Sequence, residues 1–180
     1  MALHIQIFGA PGSGKSTMRS RLFYELKKRQ LKVEEVVEVA KDDTYNERYL
    51  DLSDQIQLFG KQHHPHFILE NRVDYIVTDS PPIMGITYMN KDLPYYEELK
   101  NLMLKTDKSY KTLNYFLNRN HEYQEFGRNQ TEKESDEKAE EVKQFLRDND
   151  IDFTEVKSGK KFIKKVLKDL GLKESKESKK

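Results

Sequence analysis

Gly9-Ala10-Pro11-Gly12-Ser13-Gly14-Lys15-Ser16-Thr17 is the stretch that decides the fold of this chain. It satisfies the phosphate-loop pattern G-x-x-x-x-G-K-[ST] in full, in the context the pattern requires. Upstream, Leu3-His4-Ile5-Gln6-Ile7-Phe8 reads as a short buried strand. Downstream, Met18, Leu22 and Leu26 fall on one face of a helix expected from Lys15 to about Arg29, with Arg19, Glu25, Lys27 and Lys28 on its wet side. Strand, glycine loop and helix in that order make an anion site. Glycines let backbone N–H groups close round a phosphate, and the helix turns its positive dipole end to the same place. Lys15 suits the β- and γ-phosphates, and the Ser16 hydroxyl suits a hard Mg2+ ion. Gly9 through Thr17 are therefore the expected nucleotide-binding residues, and a nucleoside triphosphate is the expected ligand.

Composition narrows the setting. A length of 180 residues fits one domain, expected over residues 1–172, and the Lys/Glu/Ser run of residues 173–180 reads as a disordered tail. Charged residues make up 35% of the chain yet nearly cancel to +1, which argues against a general basic nucleic-acid binder. Cysteine is absent, so disulfides and thiolate metal sites are excluded. No apolar run approaches a membrane span, and the first strand leaves no room for a signal peptide, so a cytoplasmic protein is expected.

Further along, Leu31 to Val39 reads as a second strand that ends in Glu38-Val39-Ala40-Lys41. Carboxyl ends of strands in an open parallel sheet face the ligand crevice, so Glu38 is the candidate for activating a substrate hydroxyl, with Lys41 or Asp42 assisting. A charged strand end that merely solvates is the competing reading. Thr44 to Glu70 is helical in pattern, opened by a capping box at Thr44 and Glu47. Its glutamines, Gln55, Gln57 and Gln62, carry donor and acceptor together; they either read an acceptor's base or sit on a solvated face. His63-His64-Pro65-His66 lacks partner ligands at metal spacing and is broken by Pro65, which favours a solvated loop.

Val73 to Asp79 is the third strand, and a strand ending in Asp after a phosphate loop has the form of a Walker B element. Asp79 is thus expected to share Mg2+ with Ser16, before Pro81-Pro82 turn the chain out of the sheet. Ile83 to Met89 reads as an apolar linker, followed by a helix carrying Tyr95, Tyr96, Leu99, Leu102 and Met103 and by a fourth strand at Lys111 to Leu117. The polar segment from about Asn118 to Thr131 bears Arg119 and Arg128, candidates for a lid that closes charge over a migrating phosphoryl group; surface ion pairs are the alternative. Thr131 with Glu134 makes a capping box for a helix through Val142 and Leu146, then a strand at Ile151 to Val156 and a last helix over Phe162, Ile163, Val166 and Leu167 complete the chain.

In sum of motifs, Gly9 to Thr17, Glu38-Val39-Ala40-Lys41, Thr78-Asp79-Ser80-Pro81 and Arg119…Tyr123…Gly127-Arg128-Asn129-Gln130 resemble the small P-loop kinases related to nicotinamide riboside kinase and deoxynucleoside kinase, especially versions carried by large bacteriophages. The resemblance implies an α/β P-loop NTPase fold, a five-stranded parallel sheet in the order 2-3-1-4-5 with helices on both faces, and an Arg-bearing lid. It also implies an ATP- and Mg2+-dependent kinase acting on a hydroxyl of a nucleoside or nucleotide, with an acceptor site near Glu38; Lys41, Gln55 and Gln62 are the further acceptor-binding candidates. A hydroxymethylated base in DNA as acceptor, and an NTP-hydrolysing switch with none, are the other readings. Deoxynucleoside kinases carry Asp/Glu-Arg-Ser after the third strand; Asp79-Ser80-Pro81 here has no such arginine, and Lys41 stands where relatives often carry Arg.

Overall fold

Alternation in the first strand, β1 (Leu3–Phe8), sends its side chains to opposite sides of the sheet and divides the interior in two. Ile5 and Ile7 pack with Met18, Leu22, Leu26, Tyr115, Leu117, Phe162 and Val166 under α1 (Lys15–Lys27) and α7 (Lys160–Asp169). Phe8 packs on the other side with Phe116, Leu99, Met103, Val142 and Leu146 under α5 (Tyr96–Lys108) and α6 (Glu132–Asp148). The structure is a computed structural model that describes residues 1–120, 122–123 and 131–172. The expected lid of residues 118–131, with Arg128, lies largely outside the described residues, as does the tail of residues 173–180.

Around β1 the sheet runs β2-β3-β1-β4-β5, formed with β2 (Val33–Val36), β3 (Tyr75–Thr78), β4 (Lys111–Asn118) and β5 (Thr154–Lys157). All pairings are parallel: Leu3 stands opposite Tyr75 on one side and Lys111 on the other, Val33 opposite Tyr75, and Tyr115 opposite Thr154. This is the order and the P-loop NTPase architecture that the family resemblance implies. The Thr131–Glu134 capping box forms, with both reciprocal hydrogen bonds, and opens α6.

Several local expectations are corrected. Between β2 and β3 stand three helices, α2 (Ala40–Tyr45), α3 (Tyr49–Ser53) and α4 (Gln55–Leu69), in place of one. Glu47 has a left-handed φ of 54°, which no helix interior admits, and the Thr44 hydroxyl bonds back to the Ala40 carbonyl instead of capping. Asp54 is the actual cap, its carboxylate accepting from the Gln57 N–H at 3.0 Å.

Helix α4 passes through Pro65, so the His63–His66 segment is no solvated loop. Proline removes its own donor from the helix ladder and crowds the carbonyl one turn back, a cost that the buried contact of His66 with His4 on β1 offsets. His4 and His66 are both wholly buried, their Nδ1 atoms 3.2 Å apart, and His4 Nε2 meets the Glu70 carboxylate at 2.6 Å. Because Glu70 fixes the hydrogen of His4 on Nε2, His66 Nδ1 is the donor of the shared bond. Burial holds both imidazoles below their ordinary pKa, His66 down to about 3. The expected linker at Ile83 is a buried 3-10 helix, Pro82–Thr87. Ile151 and Phe153 pack in the core ahead of a β5 that starts later than expected.

Candidate active site

Three glycines set the shape of the loop between β1 and α1. Gly9, Gly12 and Gly14 have φ of 147°, 81° and 88°, values that side-chain-bearing residues rarely adopt. A Cβ on Gly9 would also stand 2.7 Å from Ser13 Oγ and 2.9 Å from the Leu117 carbonyl oxygen, so β4 approaches the loop too closely for anything but glycine. Gly14 is the residue before α1, and its carbonyl accepts the Met18 N–H at 3.0 Å, leaving the first N–H groups of the helix facing the loop. Lys15 curls over this turn, donating to the carbonyls of Gly9 and Ala10 at 2.8 and 2.9 Å. The Ser13 hydroxyl is buried and has no hydrogen-bond partner among the described residues, an oxygen that a phosphate would satisfy.

Loop and pocket are one space. A cavity of about 630 Å3 runs from Gly12, Lys15 and Ser16 past Glu38 and Lys41 to Gln55, Phe59, Gln62, Tyr88 and Met103. Its inner end is polar and cationic, its outer end apolar and aromatic, which matches a triphosphate at one end and a ring at the other.

Glu38 sits at the junction, two residues beyond the last of β2. Burial pushes its carboxyl above the usual carboxylate range; the Lys15 charge opposes that, and Asp79 reinforces it. Lys15 and Asp79 are thus both within electrostatic reach of Glu38. Lys41 also lines the cavity, its ammonium 5.9 Å from the centre of the Tyr45 ring. Gln55 lines it too, with its amide nitrogen donating to the Leu52 carbonyl at 2.8 Å. The amide of Gln62 is engaged at both ends by main chain, accepting from Val39 N–H at 2.9 Å and donating to the Val37 carbonyl at 3.1 Å.

Arg19 is the residue the sequence reading misplaced. It lies one turn along α1 from Ser16 and is largely covered, donating to Asp79 at 2.8 Å and to Glu35 at 3.0 Å. A helix position three after Ser16 shares its face, which is the signal that could have found it. Asp79, at 3% exposure, is thereby held beside the first turns of α1, the end of the helix that carries Ser16. Among the described residues no three His, Asp or Glu side chains form a metal cage. One hydroxyl and one carboxylate, both hard oxygen donors, instead fit a Mg2+ ion that keeps its waters and binds phosphates.

Helix α6 touches the surroundings of the site at three points. Ser135, wholly buried, donates to the Pro11 carbonyl at 2.6 Å. One turn on, Lys138 donates to the Thr87 carbonyl and lies 4.0 Å from the centre of the Tyr88 ring. Loss of water around the Tyr88 hydroxyl, with the charges of Glu38 and Glu141, pushes its pKa up to about 12. Arg119, just past β4, donates to Glu132 at 2.9 Å and Asp136 at 2.7 Å, with Tyr123 under its guanidinium. Neither Ser135 nor Tyr88 was marked by any motif.

No helix among the described residues is long and apolar enough to cross a membrane. The fold resembles that of a NadR protein solved in complex with NR, with a TM-score of 0.69, 17% identity, and coverage of 98% of this chain and 54% of that one. A NadR protein in complex with NAD and AMP-PNP matches at 0.66, with 16% identity over 98% and 52%. Deoxyadenosine kinase from M. mycoides, solved with the products dCMP and a flexible dCDP, matches at 0.58, with 19% identity over 93% and 98%. The chain spans about half the length of the NadR proteins it matches. No curated protein matches its sequence. The AAA domain model matches residues 4–161, from the first strand into the last helix, and this chain is therefore a member of the AAA domain family on a P-loop NTPase fold.

Proposed function

We propose that this chain is an ATP- and Mg2+-dependent kinase that transfers the γ-phosphoryl group to a hydroxyl of a nucleoside or nucleotide. The observation that carries the reading is the single cavity in which a half-buried Glu38 stands between the phosphate loop and an aromatic pocket. A switch that only hydrolyses its nucleotide needs no second, ring-sized compartment. The solved neighbours, with NR, dCMP or dCDP bound, support a nucleoside-type acceptor. ATP as donor places the reaction in a cytoplasm, that of the host if the chain is phage-encoded.

Each residue has a task in this reading. The amides of Gly9 to Thr17 hold the phosphates, and Lys15 moves from the Gly9 and Ala10 carbonyls onto the β- and γ-oxygens. Ser16 and Asp79 would hold Mg2+, which neutralises charge on those oxygens when bound. Glu38 accepts the proton of the acceptor hydroxyl as its oxygen bonds to the γ-phosphorus and the bond to the ADP oxygen breaks. A raised pKa brings that base closer to neutrality, where proton transfer is most effective. Arg119, with Arg128, supplies positive charge to the group in flight, and Lys41 and Gln55 contact the acceptor.

The test is incubation with γ-labelled ATP and a panel of nicotinamide riboside, deoxynucleosides, their monophosphates, and an oligonucleotide with a hydroxymethylated base. Label should move to a free nucleoside or nucleotide, and Lys15→Ala should abolish transfer. Label on the oligonucleotide alone would assign DNA as acceptor, and free phosphate alone would sink the kinase reading.

A further inference from the structure

Parallel pairing of β2 with β3 ends at Val36 opposite Thr78, because the neighbouring chain leaves through Ser80, Pro81 and Pro82 and offers no strand beyond it. The main chain that carries Glu38 thus has no strand partner among the described residues just where it bears the proposed base. The Gln62 amide fills that place: its oxygen accepts the Val39 N–H, and its nitrogen donates to the Val37 carbonyl. A primary amide is the chemical copy of a peptide group, and here it continues the ladder for one step around Glu38. Gln62 is 7% exposed and both bonds are part-buried, where they are stronger than in open water.

The anchor of this amide is equally fixed. Gln62 and His66 are one turn apart on α4, and His66 bonds His4 in the centre of the sheet, so the side chain hangs from a buried contact on β1. Gln55 and Phe59, which line the cavity, lie on the same stripe of α4. An acceptor resting on that stripe would press on the helix that aims Glu38.

We infer that Gln62 is a positioning residue: its side-chain amide clamps the peptide groups on both sides of Glu38 and so aims that carboxylate at the acceptor hydroxyl, without reading the acceptor's base. The inference deepens the kinase reading and rests on its assignment of Glu38, but the clamp itself can be measured without any acceptor.

Gln62→Met keeps length and removes both bonds. Val39 amide hydrogen exchange should then rise about tenfold, the factor of one net hydrogen bond. The Glu38 carboxyl, followed by carbon NMR and assigned with Glu38→Gln, should titrate at lower pH as it escapes its buried setting. Gln62→Glu is the conservative rescue. Its protonated carboxyl can accept from Val39 and donate to Val37, whereas its carboxylate would face the Val37 carbonyl and repel it. Protection of Val39 in that variant should hold at acidic pH and fall as the new carboxyl ionises, a dependence that mere loss of packing would not produce. Unchanged Val39 exchange and an unchanged Glu38 midpoint in Gln62→Met would overturn the clamp whether or not transfer is found. With the panel nucleoside that takes label, Gln62→Met should lower kcat about 10- to 100-fold, leave the acceptor KM nearly unchanged, and cost nothing further on a Glu38→Gln background. A rise in acceptor KM of equal size on both backgrounds would show direct contact and refute the inference. Full turnover by Glu38→Gln would remove Glu38 as the base, and the exchange and titration results would still decide the clamp.

Discussion

Arg19→Met leaves the Asp79 carboxylate buried without its guanidinium. Asp79 has a side-chain exposure of 2% and Arg19 of 13%, with Glu35 at 29% completing the pair of acids on either side of the cation. Removing one partner of a buried pair costs about 3–5 kcal/mol because the other charge is stranded. The partly exposed Glu35 can regain water, so the lower end, about 3 kcal/mol, is expected. In a domain of this size that is a fall in melting temperature of about 6–12 °C. Urea denaturation of wild type, Arg19→Met, Asp79→Asn and the double variant gives the interaction as a double-mutant cycle. The double variant should be more stable than Arg19→Met alone, since it removes the stranded charge. An Arg19→Met variant within about 0.5 kcal/mol of wild type, the range of an ordinary surface substitution, would show that the pair contributes nothing and that Asp79 is held by something else.

Gly9→Ala should fold poorly or lose nucleotide binding, because its Cβ would stand 2.9 Å from the Leu117 carbonyl at a φ of 147°; the readout is the rise in melting temperature with ATP and Mg2+, which should vanish. His66 has a folded pKa of about 3 against an ordinary 6.5, so its contribution is present above pH 6.5 and is lost as pH falls towards 3, with a slope of about 1.4 kcal/mol per pH unit. His66→Leu should flatten that acid limb in melts taken between those limits, and an unchanged slope would place the acid sensitivity elsewhere. Glu38 is raised by burial, so its folded form favours the proton and stability falls as pH climbs through the folded pKa. Glu38→Gln should therefore melt higher than wild type at neutral pH, draw level in acid, and transfer the phosphoryl group about 100- to 10,000-fold more slowly; a lower melting temperature at neutral pH would mean that the charged form is the favoured one.

Contiguous chemistry was legible in the sequence and assembled chemistry was not. Gly9 to Thr17 could be read because glycine, lysine and hydroxyl stand in one unbroken run whose flanks alternate and then repeat as strand and helix. The five strands followed from apolar runs, and their order from family resemblance. Thr44 and Glu47 misled because a cap was inferred from side chains alone, while the chain turns at Glu47 with a positive φ and starts its long helix at Asp54. Pro65 misled for a different reason: a local rule about proline was outweighed by a histidine contact to β1. Glutamine at position 62 offers the same donor and acceptor to a base or to a backbone, and only the loss of a strand partner at Val37 and Val39 shows which is taken. Arg19 was assigned to solvent because its partners, Glu35 and Asp79, come from other strands.

The three grips of α6 have one more consequence. Ser135 holds the phosphate-loop turn at Pro11, Lys138 steadies the Tyr88 wall of the cavity, and Glu132 and Asp136 tether the arginine that begins the segment after β4. Because a helix is stiff along its axis, these points cannot move independently. A displacement of the phosphate loop is therefore carried by one rod to the Tyr88 wall and to Arg119 together.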